Sequence, residues 1–236
     1  MLIRFILVTL LLGTLSVAVS AAFGATCLPP QWADPDTTPP PLLAYATFWS
    51  DTVQEVGSYL IYLPPDYAQT TRTYPVLYWL HGGGGETESG AAFVQMAHTQ
   101  IAAGKIPPML IVLVRGLQSM YVDSTLTATF DVPMESVIIT DLIPHIDQTY
   151  RTILTREGRG IEGFSMGGYG ATHLGFKYPD LFGVVSDIAG ALIVPLPGEA
   201  MTCMFGNDQA YFDAEHPTQI VQANAGLIRG RTFVRI

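Results

Sequence analysis

Short apolar runs alternate with longer amphipathic segments along most of this chain. Val76-Leu77-Tyr78-Trp79-Leu80 is an unbroken apolar run, and residues 108–114 form a second one. Runs this short without polar alternation are the pattern of strands buried on both faces. Residues 52–62 alternate and predict an earlier strand that stops at Pro64-Pro65-Asp66-Tyr67. Further strands are predicted over 159–164 and 182–188, with the beginning of another at 232–236. Helices are predicted over 91–103, 135–150, 167–178 and 218–227. The second of these carries Ile138, Ile139, Leu142, Ile143 and Ile146 on one side, and the third is stopped by Pro179. Buried strands alternating with helices predict an α/β protein whose mostly parallel sheet is covered by helices on both faces. In such a sheet, functional groups collect beyond the carboxyl ends of the strands.

The ends of the chain follow other rules. Arg4, the apolar stretch 5–15 and the small residues Ser20, Ala21 and Ala22 have the order of a secretory leader. Residues 1–24 are therefore expected to be a signal peptide cleaved between Ser20 and Ala25, placing the mature protein outside the cytoplasm, secreted or periplasmic. Gly13, Thr14 and Ser16 interrupt the run, so no stable membrane span is expected after cleavage. Residues 25–50 open with a proline-dense stretch and are expected to form an extended arm, with the folded domain over 51–236. Cys27 and Cys203 are the two cysteines of the chain. An oxidising compartment permits them to pair, and two unpaired small hydrophobes are the other reading.

Chemistry concentrates at Gly163-Phe164-Ser165-Met166-Gly167, a Gly-x-Ser-x-Gly pattern between a predicted strand and a predicted helix. This is the nucleophile elbow, in which glycines at 163 and 167 let strand and helix approach a serine at the tip. A serine hydroxyl needs donors for the oxyanion it creates. The N–H of Met166 and that of Gly83, in His81-Gly82-Gly83-Gly84-Gly85, are the candidates. A phosphate-cradling loop is the rival reading of this glycine run, but it lacks the Gly-Lys-Ser/Thr ending. No metal or cofactor is implied. The net charge of −9 without a basic cluster argues against a nucleic-acid partner.

The blocks Tyr78 to Gly85, Leu142-Ile143-Pro144-His145-Ile146-Asp147, Ile161 to Ala171 and Lys177-Tyr178-Pro179-Asp180-Leu181-Phe182 resemble the esterase D or "putative esterase" family of α/β-hydrolases. The resemblance covers about residues 53–236. It implies an α/β-hydrolase fold, Ser165 as nucleophile, and an oxyanion hole of Met166 and Gly83. The activity it implies is that of a secreted serine esterase on feruloyl or acetyl esters of polysaccharides. An acyltransferase of the same fold and a non-catalytic hydrolase-fold binding protein are the alternatives. The family pattern puts an acid after the seventh strand and a histidine later still. Residues 232–236 reach only the start of that strand, so the last strand and helix are expected to be missing or incomplete and the chain nearly inactive as it stands. Among the histidines present, His173 is eight residues along one helix from Ser165, about 12 Å at 1.5 Å per residue. His145 and His98 are expected on helix surfaces, and His81 is expected to shape the glycine loop. His216 and Asp187 stand on the correct edge of the sheet and are the remaining catalytic candidates, although a helix-start turn and a loop residue are their plainer readings.

Overall fold

The computed structural model describes residues 27–236 except 37, 126–127, 193–201 and 207. The expected leader at 1–24 lies outside the described residues. Seven strands, β1 (Leu43–Ser50), β2 (Glu55–Tyr62), β3 (Val76–Leu80), β4 (Leu110–Val114), β5 (Arg159–Phe164), β6 (Val184–Ile188) and β7 (Phe233–Arg235), form one sheet. Their order is β1-β2-β4-β3-β5-β6-β7. β1 and β2 are an antiparallel hairpin, β2 runs antiparallel to β4, and the rest of the sheet is parallel. The β1 strand was not read from the sequence, where its residues fell within the expected arm.

The apolar runs do what their lack of alternation predicts. Val76, Tyr78, Leu80, Leu110, Val112 and Val114 pack into the larger core on one face. Trp79, Ile111 and Leu113 pack on the other, against Val94 and Ala97 of helix α1 (Ala91–Ala102). The larger face is covered by α3 (Met166–Lys177) and by α2, which runs without a break through Met134–Ser136, Val137–Leu142 and Ile143–Thr149. The middle piece of α2 is wound as a π-helix. Pro144, which has no N–H to give, stands where that wide winding ends. The helix predicted over 218–227 is divided at Asn224 into Pro217–Ala223 and Ala225–Ile228. It is preceded by an unpredicted helix, Gln209–Glu215.

The N-terminal arm is fastened at three points, which an extended surface segment would not require. Cys27 and Cys203 form a disulfide. Trp32 is buried in the core. Arg115 reaches from the end of β4 to Asp34, 2.7 Å away, and donates from Nε to the Gln31 carbonyl. His145 corrects a second expectation: it is half-buried, its Nε2 3.0 Å from the Tyr59 hydroxyl, with its ring against Phe48.

A buried charge network joins α2, α3 and the Gln209–Glu215 helix. His173 Nε2 lies 2.7 Å from Glu135 Oε2 and its Nδ1 lies 2.9 Å from the Glu215 carbonyl. Lys177 Nζ bridges the Glu135 and Glu215 carboxylates at 2.9 and 2.6 Å, and the Tyr178 hydroxyl donates to Glu135. Burial pushes the Glu135 carboxyl up, but His173, then Tyr178 and Lys177, overcome this and hold it at about 2. An unfolded glutamate titrates near 4.3. A carboxyl depressed in the folded state stabilises the fold above its unfolded pKa, and that contribution disappears as pH falls through the folded value. Urea unfolding measured from about pH 4.5 down to about pH 2 should therefore lose on the order of 3 kcal/mol through this group. Glu135→Gln should flatten that acid limb; an unchanged limb would remove Glu135 as its source.

Candidate active site

The register of the parallel strands sets the site. Val114 pairs with Leu80, Leu80 with Gly163, and Gly163 with Asp187, so one row crosses the sheet at its carboxyl edge. The residues just beyond that row, around Gly116, His81-Gly82, Ser165 and Gly190, meet there. Backbone strain gathers on the same edge: Leu117, Met120, Tyr121, Ser165 and Ala189 all have positive φ.

Ser165 occupies the turn between β5 and α3 with φ 54° and ψ −112°. A non-glycine residue held so costs roughly 1–3 kcal/mol and persists only where its surroundings over-determine it. Here its N–H donates to the Ile188 carbonyl at 2.9 Å, and its carbonyl accepts from the N–H groups of Tyr169 and Ala191, both at 3.0 Å. The flanking glycines are sterically required. A Cβ at Gly163 would collide with the Gly167 carbonyl, and a Cβ at Gly167 with the Leu80 carbonyl. Met166, the first residue of α3, has an N–H with no intrahelical acceptor.

The glycine loop lies against this turn. A Cβ at Gly82 would stand 3.5 Å from Ser165 Cβ and 3.2 Å from Phe164 Cδ1, so only a bare α-carbon fits there without displacement. Gly85 N–H closes a turn on the Gly82 carbonyl at 3.0 Å, with Gly84 at φ 73°. Positive φ at the third position of a turn suits glycine. The closing bond leaves the Gly83 N–H out of the turn. His81 holds the loop from below. The Gly116 N–H must donate to His81 Nε2 (3.1 Å), so Nδ1 carries the proton and donates to the Gly82 carbonyl (2.9 Å). Burial, the main cause, pushes the His81 pKa down, with the charge of Arg115 acting in the same direction. The ring is thus neutral and fully engaged, which is the loop-shaping position expected for it.

Tyr121 completes the support and was not read from the sequence. Its buried hydroxyl donates to the His81 carbonyl at 3.0 Å. Its ring fills the places where side chains at Gly116 and Gly170 would stand. One aromatic ring therefore ties the segment after β4, the glycine loop and the elbow helix together. Two glycines far apart in sequence were the only signal.

The other candidates have surroundings of their own. His216 caps the Pro217–Ala223 helix, its Nδ1 accepting from Thr218 N–H, while its ring packs on Tyr169 and Phe212. Its Nε2 is buried without a partner among the described residues. Asp187 is buried beside Gly168 and Gly190, its Oδ1 has no partner among the described residues, and burial raises its pKa against the opposing Gly190 N–H. His98 bonds the Tyr62 hydroxyl, and His173 lies in the buried network. All five histidines of the chain thus have ring partners other than Ser165. Glu135, His173 and Glu215 have ligand atoms within 4.8 Å of one another, a spacing that would suit a cation. The Lys177 ammonium already bridges the two carboxylates there.

A mostly parallel sheet with a strained serine at a strand-to-helix turn, faced by a glycine loop, defines an α/β-hydrolase. The sequence matches the family described as Putative esterase over residues 50–235, and the chain belongs to that family. It is 31% identical over 157 residues to an endo-1,4-beta-xylanase/feruloyl esterase of Xylanibacter ruminicola, covering 63% of this chain and 22% of that protein. It is 34% identical over 152 residues to an esterase of Mycobacterium tuberculosis, covering 64% of this chain and 32% of that one. The chain thus spans about a fifth to a third of the length of these curated relatives. A ferulic acid esterase of known structure superposes with a TM-score of 0.62 at 25% identity, over 76% of this chain and 70% of that one.

Two substitutions test this architecture. Tyr121→Phe removes a buried donor and should lower stability by about 1 kcal/mol, read as a lower urea midpoint with the slope unchanged. Gly167→Ala drives a Cβ into the Leu80 carbonyl and should cost several times more, read as a lower Tm or loss of soluble protein; a variant with parental Tm would contradict the packing described.

Proposed function

We propose that this protein is an exported serine carboxylic-ester hydrolase that works through an acyl-enzyme at Ser165 on feruloyl- or acetyl-type esters of polysaccharides. The observation that carries this reading is the strained Ser165 at the start of α3 with the glycine loop packed against it at Gly82; the N–H groups of Met166, first in its helix, and Gly83, outside the loop turn, are the oxyanion donors we assign to it. Family membership and the relatives named feruloyl esterase support the substrate class. In the reaction, Ser165 Oγ loses its proton as it attacks the ester carbonyl, and the carbonyl oxygen takes negative charge between the two N–H groups. The C–O bond to the alcohol then breaks, the alcohol leaves with a proton, and water hydrolyses the acyl-serine. The boundaries 1–24, 25–50 and 51–236 for leader, arm and domain belong to the same proposal.

A hydrolase-fold protein that binds without catalysis is the second reading, and one observation favours it: among the described residues, each histidine ring bonds a group other than Ser165. A fluorophosphonate label separates the two. The parent should be labelled and should hydrolyse 4-nitrophenyl acetate at the low rate that an oxyanion hole without a bonded histidine sustains, about 10³–10⁴ over water, whereas Ser165→Ala should do neither. Gly83→Pro, which deletes a proposed oxyanion donor, should lower kcat by about 10²–10³. An unlabelled parent would sink the esterase reading, and equal labelling of Ser165→Ala would move the nucleophile elsewhere.

A further inference from the structure

Several of the exposed large apolar side chains lie on the edge strands of the sheet. Trp49 and Val56 face each other across the β1–β2 hairpin at one edge of the sheet, and Phe233 and Val234 lie on β7 at the other. Phe164 does not fit that description. It ends β5, which lies between β3 and β6 in the middle of the sheet, and the other five residues of that strand are buried. Phe164 is nevertheless 49% exposed. Its ring edge rests over the bare α-carbon of Gly82, where a Cβ would come within 3.2 Å of Cδ1. Leu192, also exposed, follows Ala191, whose N–H donates to the Ser165 carbonyl. An exposed aromatic ring seated against the glycine loop therefore immediately precedes the serine.

We infer that Phe164 is a specificity-determining residue, its exposed ring forming the surface on which the aromatic ring of a hydroxycinnamoyl acyl group stacks while the acyl carbonyl sits at Ser165. This rests on the esterase reading of Ser165. An ester carbonyl attacked by Ser165 must lie about 3 Å from Oγ, and the residue preceding the serine is then within the reach of a short conjugated acyl chain. Aromatic pairs with centroids about 4.5–7 Å apart gain attraction beyond their area burial. An acetyl group is too short to use such a surface. The position is also held firmly: Phe164 pairs with Ile188 across β5 and β6, and its neighbour Ser165 donates to the Ile188 carbonyl. The ring is thus presented on a strand rather than on a loop, which favours a fixed stacking geometry.

The test combines a selectivity measurement with a binding measurement that needs no turnover. In Phe164→Ala, kcat/KM for methyl ferulate relative to methyl acetate should fall at least about fivefold, mainly through KM. Phe164→Leu keeps apolar bulk without the ring and should lose most of the same selectivity. Ferulate binding, followed by calorimetry on Ser165→Ala, should weaken at least about fivefold when Phe164→Ala is added. An unchanged selectivity ratio, or ferulate affinity that is equal with and without the ring or absent in both, overturns the inference. Ring-dependent ferulate binding by a parent that no fluorophosphonate labels would keep the subsite and remove the esterase reading. Labelling of the parent with ring-independent ferulate binding would do the reverse.

Discussion

The backbone of Ser165 is the constraint from which the rest of the site follows. At φ 54° and ψ −112° this residue turns a strand into a helix within one position. Strand and helix then lie so close that neither Gly163 nor Gly167 can carry a side chain. The strain is balanced by three main-chain hydrogen bonds, one to the end of β6 and two from Tyr169 and Ala191. Those bonds recruit the segment after β6 as well as the helix itself. The serine therefore cannot relax without disturbing two neighbouring elements, which is how a costly conformation is kept in a marginally stable fold.

A second layer of packing keeps the glycine loop facing that serine. A loop of four successive glycines has much conformational freedom to lose, and here its position is set by groups outside it. His81, neutral and in one tautomer, bonds the loop on one side and Gly116 on the other. Tyr121 bonds the His81 carbonyl while its ring closes the space between Gly116 and Gly170. The glycines are thus needed for close approach, and the aromatic residues beneath them give the approach a fixed direction. A loop aimed in this way can present N–H groups that need little reorganisation when charge develops.

How much of this was legible in the sequence depends on how local each determinant is. The elbow, the glycine loop and the buried central strands are written in consecutive residues, and the structure holds them at those positions. β1 was missed because Leu43-Ala44-Tyr45-Ala46-Thr47-Phe48-Trp49-Ser50 mixes small and large residues and buries only three of its eight positions. Proline density just before it suggested an arm. The Gln209–Glu215 helix buries only Phe212, too little to show a helical period. The expectations at Trp32 and His145 failed because each side chain is covered by partners distant in sequence: the sheet core buries Trp32, and Phe48 with Tyr59 half-buries His145. Tyr121 belongs to the same class, since its socket is built from Gly116 and Gly170 and no local pattern announces it.

Charge placement in α3 separates support from chemistry. His173 and Lys177 lie one and two turns further along the helix from Tyr169, on the face that meets Glu135 and Glu215. Both ring nitrogens of His173 face oxygen atoms, a carboxylate and a carbonyl, so both are engaged away from Ser165. The same geometry explains why three close ligand-type side chains do not amount to a vacancy. Lys177, on the helix they hold, already pairs with both carboxylates, and removing one partner of such a buried pair costs about 3–5 kcal/mol. Fixing α3 from behind in this way also fixes its first turn, where Ser165 accepts from Tyr169. The network is thereby coupled to the elbow through one helix, with no contact to the serine side chain.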